Sequence, residues 1–196
     1  MKDNVQTLIS VPGWSSENIK REKIDTRLLD WEKRLDMYFI NPIDIDSFKN
    51  SIYFDEKKFP KKFKWREFVG IYITMIDWSD LRYKIDTKNR ANLLPAICLS
   101  LATWGENLQG VAEAMEDFLI PFDNQLIMSE LGGYGEAYEE DKNFYTCLNL
   151  LSYKQKECIA EFIEMYFCLY KSSFSWYSEK TKEAANELVK IWREQL

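Results

Sequence analysis

Fifty-one consecutive residues, Ala91 to Asp141, contain ten carboxylates and neither lysine nor arginine. The first part of this stretch, Leu93 to Trp104, carries no charge and is apolar on nearly every face. A helix of that kind has no side to give to water, so the other elements must enclose it. It is also too short to cross a bilayer, which takes roughly 20 residues. Pro95 is expected in the first turn of this helix, where its missing amide hydrogen removes no hydrogen bond. Gly105 is its expected stop.

What encloses it must be helical too. Seven glycines and five prolines among 196 residues are too few for the tight turns of an all-β chain. Hydrophobic residues, 46% of the chain, are enough for one packed interior. The expected architecture is all-α: a single domain over residues 17–196 of about six to eight helices, with room for one short irregular or extended segment, behind a loose leader at 1–16.

The periodicity places the helices. Ile24, Leu28, Trp31, Leu35 and Tyr38 recur at four and three residues, and the helix they form must end before Asn41-Pro42. Asp44 to Phe54 has the makings of a further turn or two. Lys64 to Trp78 is expected as a helix, although Val69, Ile71 and Ile73 alternate as a buried strand would. Ser79-Asp80 is then read as a cap, since Asp77 and Asp80 suit capping better than metal binding or acid–base work. Asp86 to Asn92 is expected as a polar turn.

After the central helix, Leu108, Val111, Ala112, Met115, Phe118 and Leu119 form one apolar stripe. A short helix ending near Leu131 follows Pro121, and another covers Phe144 to Leu151. Ser152-Tyr153-Lys154-Gln155 matches a capping box, opening a helix with Cys158, Ile159, Phe162, Ile163, Tyr166 and Phe167 inward and Glu157, Glu161 and Glu164 on its wet side. Ser178 caps a last helix that buries Ala184, Ala185, Leu188, Ile191 and Trp192.

Two charged features stand out. Lys57 to Arg66 holds six cations in ten residues with interleaved aromatics. The run is either a nucleic-acid or anionic-surface contact or a solvated connector, with the further option that it faces the acidic stretch within the same chain. The other feature is the acidic stretch itself. Glu113, Glu116 and Asp117 cluster on one helix face with no compensating cation, and two of them lie where the helix dipole disfavours negative charge. Tyr134, Glu136, Tyr138, Glu139, Glu140 and Asp141 follow Gly132-Gly133 in an acidic, tyrosine-bearing loop. Tyrosine provides large contact area at low entropic cost, so these nine residues are the candidate partner-binding set.

The chain has no histidine, which removes the commonest general base, the commonest metal ligand and the usual partner of a nucleophilic Ser or Cys. Neither catalytic nor metal residues are assigned, no cofactor is expected, and the protein is read as non-enzymatic. A carboxylate-dependent metal enzyme is the least favoured alternative. Net charge −6 and a pI near 5.0 oppose a nucleic-acid binder and favour a basic protein partner. Cys98, Cys147, Cys158 and Cys168 show no metal or redox spacing and are expected as buried free thiols. With no signal peptide apparent, a cytoplasmic location without a membrane span is expected.

The helix containing Leu94-Pro95-Ala96, the following helix ending at Pro121, and the one opened by Leu151-Ser152-Tyr153-Lys154-Gln155 and continuing to Phe162 together resemble small bacterial all-helical domains of unknown function. In general character the acidic, histidine-free chain is similar to immunity proteins that neutralise cationic toxins, and to phage inhibitors that mimic nucleic acid. That resemblance implies a helical inhibitor that sequesters a basic toxin domain.

Overall fold

The computed structural model of the chain describes residues 21–44, 61–69, 85–104, 115, 118–132, 141–171 and 176–194. Among them the fold is all-α apart from one pair of two-residue strands. The elements run α1 (Arg21–Tyr38), β1 (Ile43–Asp44), β2 (Lys62–Phe63), α2 (Trp65–Phe68), α3 (Thr87–Trp104), α4 (Gln125–Leu131), α5 (Lys142–Leu150), α6 (Tyr153–Ile163) and α7 (Glu179–Glu194). Helix α6 continues as a π-wound segment over Glu164–Tyr170.

Helix α3 is the enclosed pivot that its composition demands. Every residue from Asn89 to Ala102 is buried, and Leu93, Leu94, Ile97, Cys98, Leu99 and Leu101 have no solvent exposure at all. Each fully buried Leu or Ile contributes about 1.5–3 kcal/mol, so this helix is a main source of the core's stability. The helix starts well before the expected position, however. Thr87 to Asn92 is its opening, not a polar turn, and Pro95 lies inside it. The reason is that Asn89, Arg90 and Asn92 are buried and not solvated. Asp86 accepts from the Asn89 backbone N–H at 3.0 Å and from its side-chain amide at 2.6 Å. The Asn89 side-chain oxygen in turn accepts from the Asp44 backbone N–H at 3.0 Å, and Asn92 donates to the Pro42 carbonyl at 3.3 Å.

Those bonds fasten the small sheet to α3. Strands β1 and β2 pair antiparallel, with Ile43 opposite Phe63 and Asp44 opposite Lys62. Asp44 is therefore in a strand and begins no helix. The helix expected from Lys64 starts at Trp65 but spans only four residues, because Val69 turns extended. Residues 70–84, including the Asp77-Trp78-Ser79-Asp80 cap, lie outside the described residues.

Around α3, helix α1 packs antiparallel on α6, α5 packs on α3, and α7 packs on α4 and α6. Leu28, Trp31 and Leu35 point inward from α1, and the helix ends at Tyr38, ahead of Asn41-Pro42. Trp31 donates to the Cys158 carbonyl at 2.7 Å and stacks on Phe162 at 5.1 Å. Trp192 of α7 donates to the Leu119 carbonyl at 3.0 Å and meets Phe144 edge-on. Met115, Phe118 and Leu119, the described part of the stripe after Gly105, are buried at helical spacing. The capping box at Ser152 and Gln155 forms with both bonds in place, and the Ser178 hydroxyl accepts from the Thr181 backbone N–H at 3.1 Å. None of the described helices is long and apolar enough to cross a membrane.

Candidate functional site

Of the candidate partner-binding residues, Glu113, Glu116, Asp117, Tyr134, Glu136, Tyr138, Glu139 and Glu140 lie outside the described residues. The described parts of the acidic stretch form its frame. Helix α4 begins at Asn124, whose side chain accepts from the Ile127 backbone N–H, and closes at Gly132, whose N–H donates to the Met128 carbonyl. Helix α5 begins at Asp141.

Asp141, the last of the nine candidates, is only 7% exposed. Its carboxylate accepts from the Phe144 backbone N–H at 3.0 Å and from the Phe122 backbone N–H at 3.3 Å. An aspartate at a helix N-cap satisfies one of the orphan amides there, and the second bond ties the segment after Pro121 to α5. This geometry assigns Asp141 to the frame. Two other carboxylates of the stretch are similarly engaged. Asp123 accepts from the Tyr145 hydroxyl at 3.2 Å, and Glu130 accepts from the Thr181 hydroxyl at 3.0 Å, joining α4 to α7.

The opposite sign of charge is committed elsewhere. Arg27 of α1 donates to Glu161 at 3.3 Å and Glu164 at 2.9 Å, and Arg34 pairs with Glu161 at 2.6 Å. From α7, Arg193 reaches Glu157 at 3.3 Å and the same Glu164 oxygen at 3.1 Å. The expected wet side of α6 is thus a shared ion-pair ridge clamped by the helices on either side of it. Burial pushes the Glu164 carboxyl up, but the hydrogen bonds from Arg27 and Arg193 outweigh it and hold the group below the usual carboxylate range. Residue patterning missed this ridge, although a signal was there. Glu157, Glu161 and Glu164 are spaced by four and three, matching the seven-residue separation of Arg27 and Arg34.

The basic run behaves likewise at its described end. Arg66 makes two bonds to Asp36 and one to Glu32, each at 2.6 Å, all on α1. Its aromatics face inward: Phe63 and Trp65 are each 3% exposed. Lys61, Lys62 and Lys64 point to solvent.

Chemically reactive groups are subdued. Burial pushes Cys147 to about 11 and Cys158 to about 12, raises Cys98 well above its ordinary value, and brings the half-buried Cys168 to about 11. All four thiols are free. Thiols held that high are poor nucleophiles at neutral pH. Among the described residues, no group of three or more His, Cys, Asp or Glu side chains is placed to hold a metal ion. A shallow groove beside α7 is lined by Glu164, Cys168, Asn186, Lys190 and Arg193, and its strongest cation is already taken by the ridge. Comparison with protein-family models, with curated proteins and with solved structures finds no match to this chain.

Proposed function

We propose that this chain is a non-enzymatic binding protein that captures and neutralises a basic protein partner, as an immunity protein does a cationic toxin domain. The contact set is Glu113, Glu116, Asp117, Glu136, Glu139 and Glu140, with Tyr134 and Tyr138 supplying contact area. Asp141 holds the end of the segment in place. The observation that carries this reading is the division of charge. Arg27, Arg34, Arg66 and Arg193 are bound to carboxylates of α1 and α6, so these arginines lend nothing to the negative stretch at 106–140. Negative charge concentrated on one segment steers a cationic partner and speeds its association. Nucleic-acid binding through Lys57 to Arg66 is less well supported, because Phe63 and Trp65 are in the core and cannot stack on bases, and Arg66 is engaged by α1.

The test is capture of a partner from the native host on the immobilised protein, followed by titration with salt. Binding should fall at least tenfold in the triple variant Glu136→Lys, Glu139→Lys, Glu140→Lys, and it should weaken steeply as salt rises from about 0.05 to 0.5 M, where screening shortens to a few ångströms. Capture that ignores both the triple reversal and the salt would overturn the reading.

A further inference from the structure

Four of the exposed large hydrophobic side chains lie on segments that meet at one end of the α1–α6 pair. Met37 is 67% exposed, Ile40 74%, Leu150 56% and Tyr153 58%. The Gln155 side-chain amide donates to the Tyr38 carbonyl at 3.0 Å, and the Lys154 ammonium sits 5.7 Å from the Tyr38 ring centre. The start of α6, with Tyr153 and the nearby end of α5 at Leu150, is thereby held against the last turn of α1. Ile40 also shares a shallow cleft with Phe39, Lys64, Trp65 and Arg66, which brings the β2–α2 corner to the same place.

Lysines lie on the same segments: Lys64 lines the cleft with Ile40, Lys154 sits over Tyr38, and Lys61 and Lys62 lie at the start of the adjoining strand. Lys61, Lys62, Lys64 and Lys154 are all exposed, and none has a carboxylate partner among the ion pairs of the described residues. Arg66 is shared between Asp36 and Glu32, each at 2.6 Å, Glu67 is exposed beside Lys64, and Asp44 stands opposite Lys62 in the sheet, so the cations outnumber the acids there only slightly. The face is therefore slightly cationic on a chain of net charge −6. At about 0.1 M salt, charges more than about 10 Å away are largely screened, so the nearby lysines set its electrostatics.

We infer that this face docks on an anionic lipid surface, with Met37, Ile40 and Leu150 entering the headgroup boundary, Tyr153 at headgroup level and the lysines on lipid phosphates. The apolar tips favour a membrane over a nucleic acid. Three of the four tips are aliphatic and gain nothing from a phosphate backbone, and of the rings on these segments Phe63 and Trp65 are in the core, leaving Tyr153 as the exposed one among them. Buried apolar area combined with attraction of lysines to anionic lipid is the binding mode of peripheral membrane proteins. This inference stands apart from the acidic stretch and does not depend on it.

The experiment is co-sedimentation of the full chain with vesicles of phosphatidylcholine alone, and with about three parts phosphatidylcholine to one part phosphatidylglycerol. The wild type should bind only the anionic vesicles. Two variants should each weaken that binding about tenfold or more: Met37→Glu with Ile40→Glu, and Lys61→Glu with Lys62→Glu and Lys64→Glu. Ile40→Ser, which removes the apolar tip without adding charge, should give a smaller loss in the same direction. The reversal at Glu136, Glu139 and Glu140 should leave vesicle binding in place. The inference is overturned if anionic vesicles are not bound, or if the Met37 and Ile40 variants bind as the wild type does. It is equally overturned if an oligonucleotide is retained where vesicles are not, or if the apolar variants abolish only self-association of the chain.

Discussion

At the scale of single residues, the most consequential side chains are amphipathic groups placed so that a polar tip bridges two helices. Trp31 fills the α1–α6 interface, and its indole N–H caps a carbonyl of the neighbouring helix. Trp31→Phe should lower stability by about 2–3 kcal/mol, combining lost packing with a lost buried hydrogen bond. Trp176→Phe, at a site 55% exposed, should cost under about 1 kcal/mol. Urea unfolding of the two variants checks this, and equal midpoints would contradict it. Asp141 makes the same point for a charged residue. Read in sequence it is the last of an acidic cluster, whereas in the fold it is an N-cap with a second backbone bond. The cap bond to Phe144 is only three residues away and fits a local pattern, but the second bond, to the Phe122 amide nineteen residues away, is not visible in one.

At the scale of elements, the ion-pair ridge on α6 links stability to pH. The Glu164 carboxyl is held below its ordinary value near 4.5. A group depressed in the folded state stabilises the fold fully above its unfolded value, and that contribution is lost as pH falls through the folded value. Acid should therefore begin to weaken the α1–α6–α7 contacts below about pH 4.5, and Glu164→Gln should flatten that limb while leaving the slope near pH 7 unchanged. Thermal melts between about pH 3 and 7 test the sign, and an acid limb as steep in the variant as in the wild type would refute it. Most elements were legible in periodicity and caps: α1 with its stop at Tyr38, the Ser152 capping box, α4 and α7. The start of α3 was not, because Asn89, Arg90 and Asn92 look solvated in sequence and are buried in the fold. The π-winding of Glu164–Tyr170 was not legible either. Its apolar residues predict helix, while the winding accompanies the full burial of three successive side chains, Met165, Tyr166 and Phe167.

At the scale of the whole molecule, one core built around α3 encloses Cys98, Cys147 and Cys158. Alkylation of these thiols requires opening of that core, so iodoacetamide near pH 8 should modify the half-buried Cys168 first and the other three only at the rate of global unfolding. Mass spectrometry of partly labelled protein reads the order, and early labelling of Cys98 would show that the core opens locally. The sequence by itself determined that the chain is helical, that Leu93 to Trp104 must be enclosed, and that negative charge is concentrated at 106–141. These follow from composition and short-range spacing, which act within one helix. Tertiary structure alone decided which charges are already satisfied: Arg66 turns to α1 and not to the acidic stretch, Glu161 and Glu164 are clamped by three arginines, and Phe63 and Trp65 leave the basic run for the core. An ion pair or a buried ring depends on which segments meet, and the partners here are 29 to 137 residues apart, beyond the reach of any local pattern.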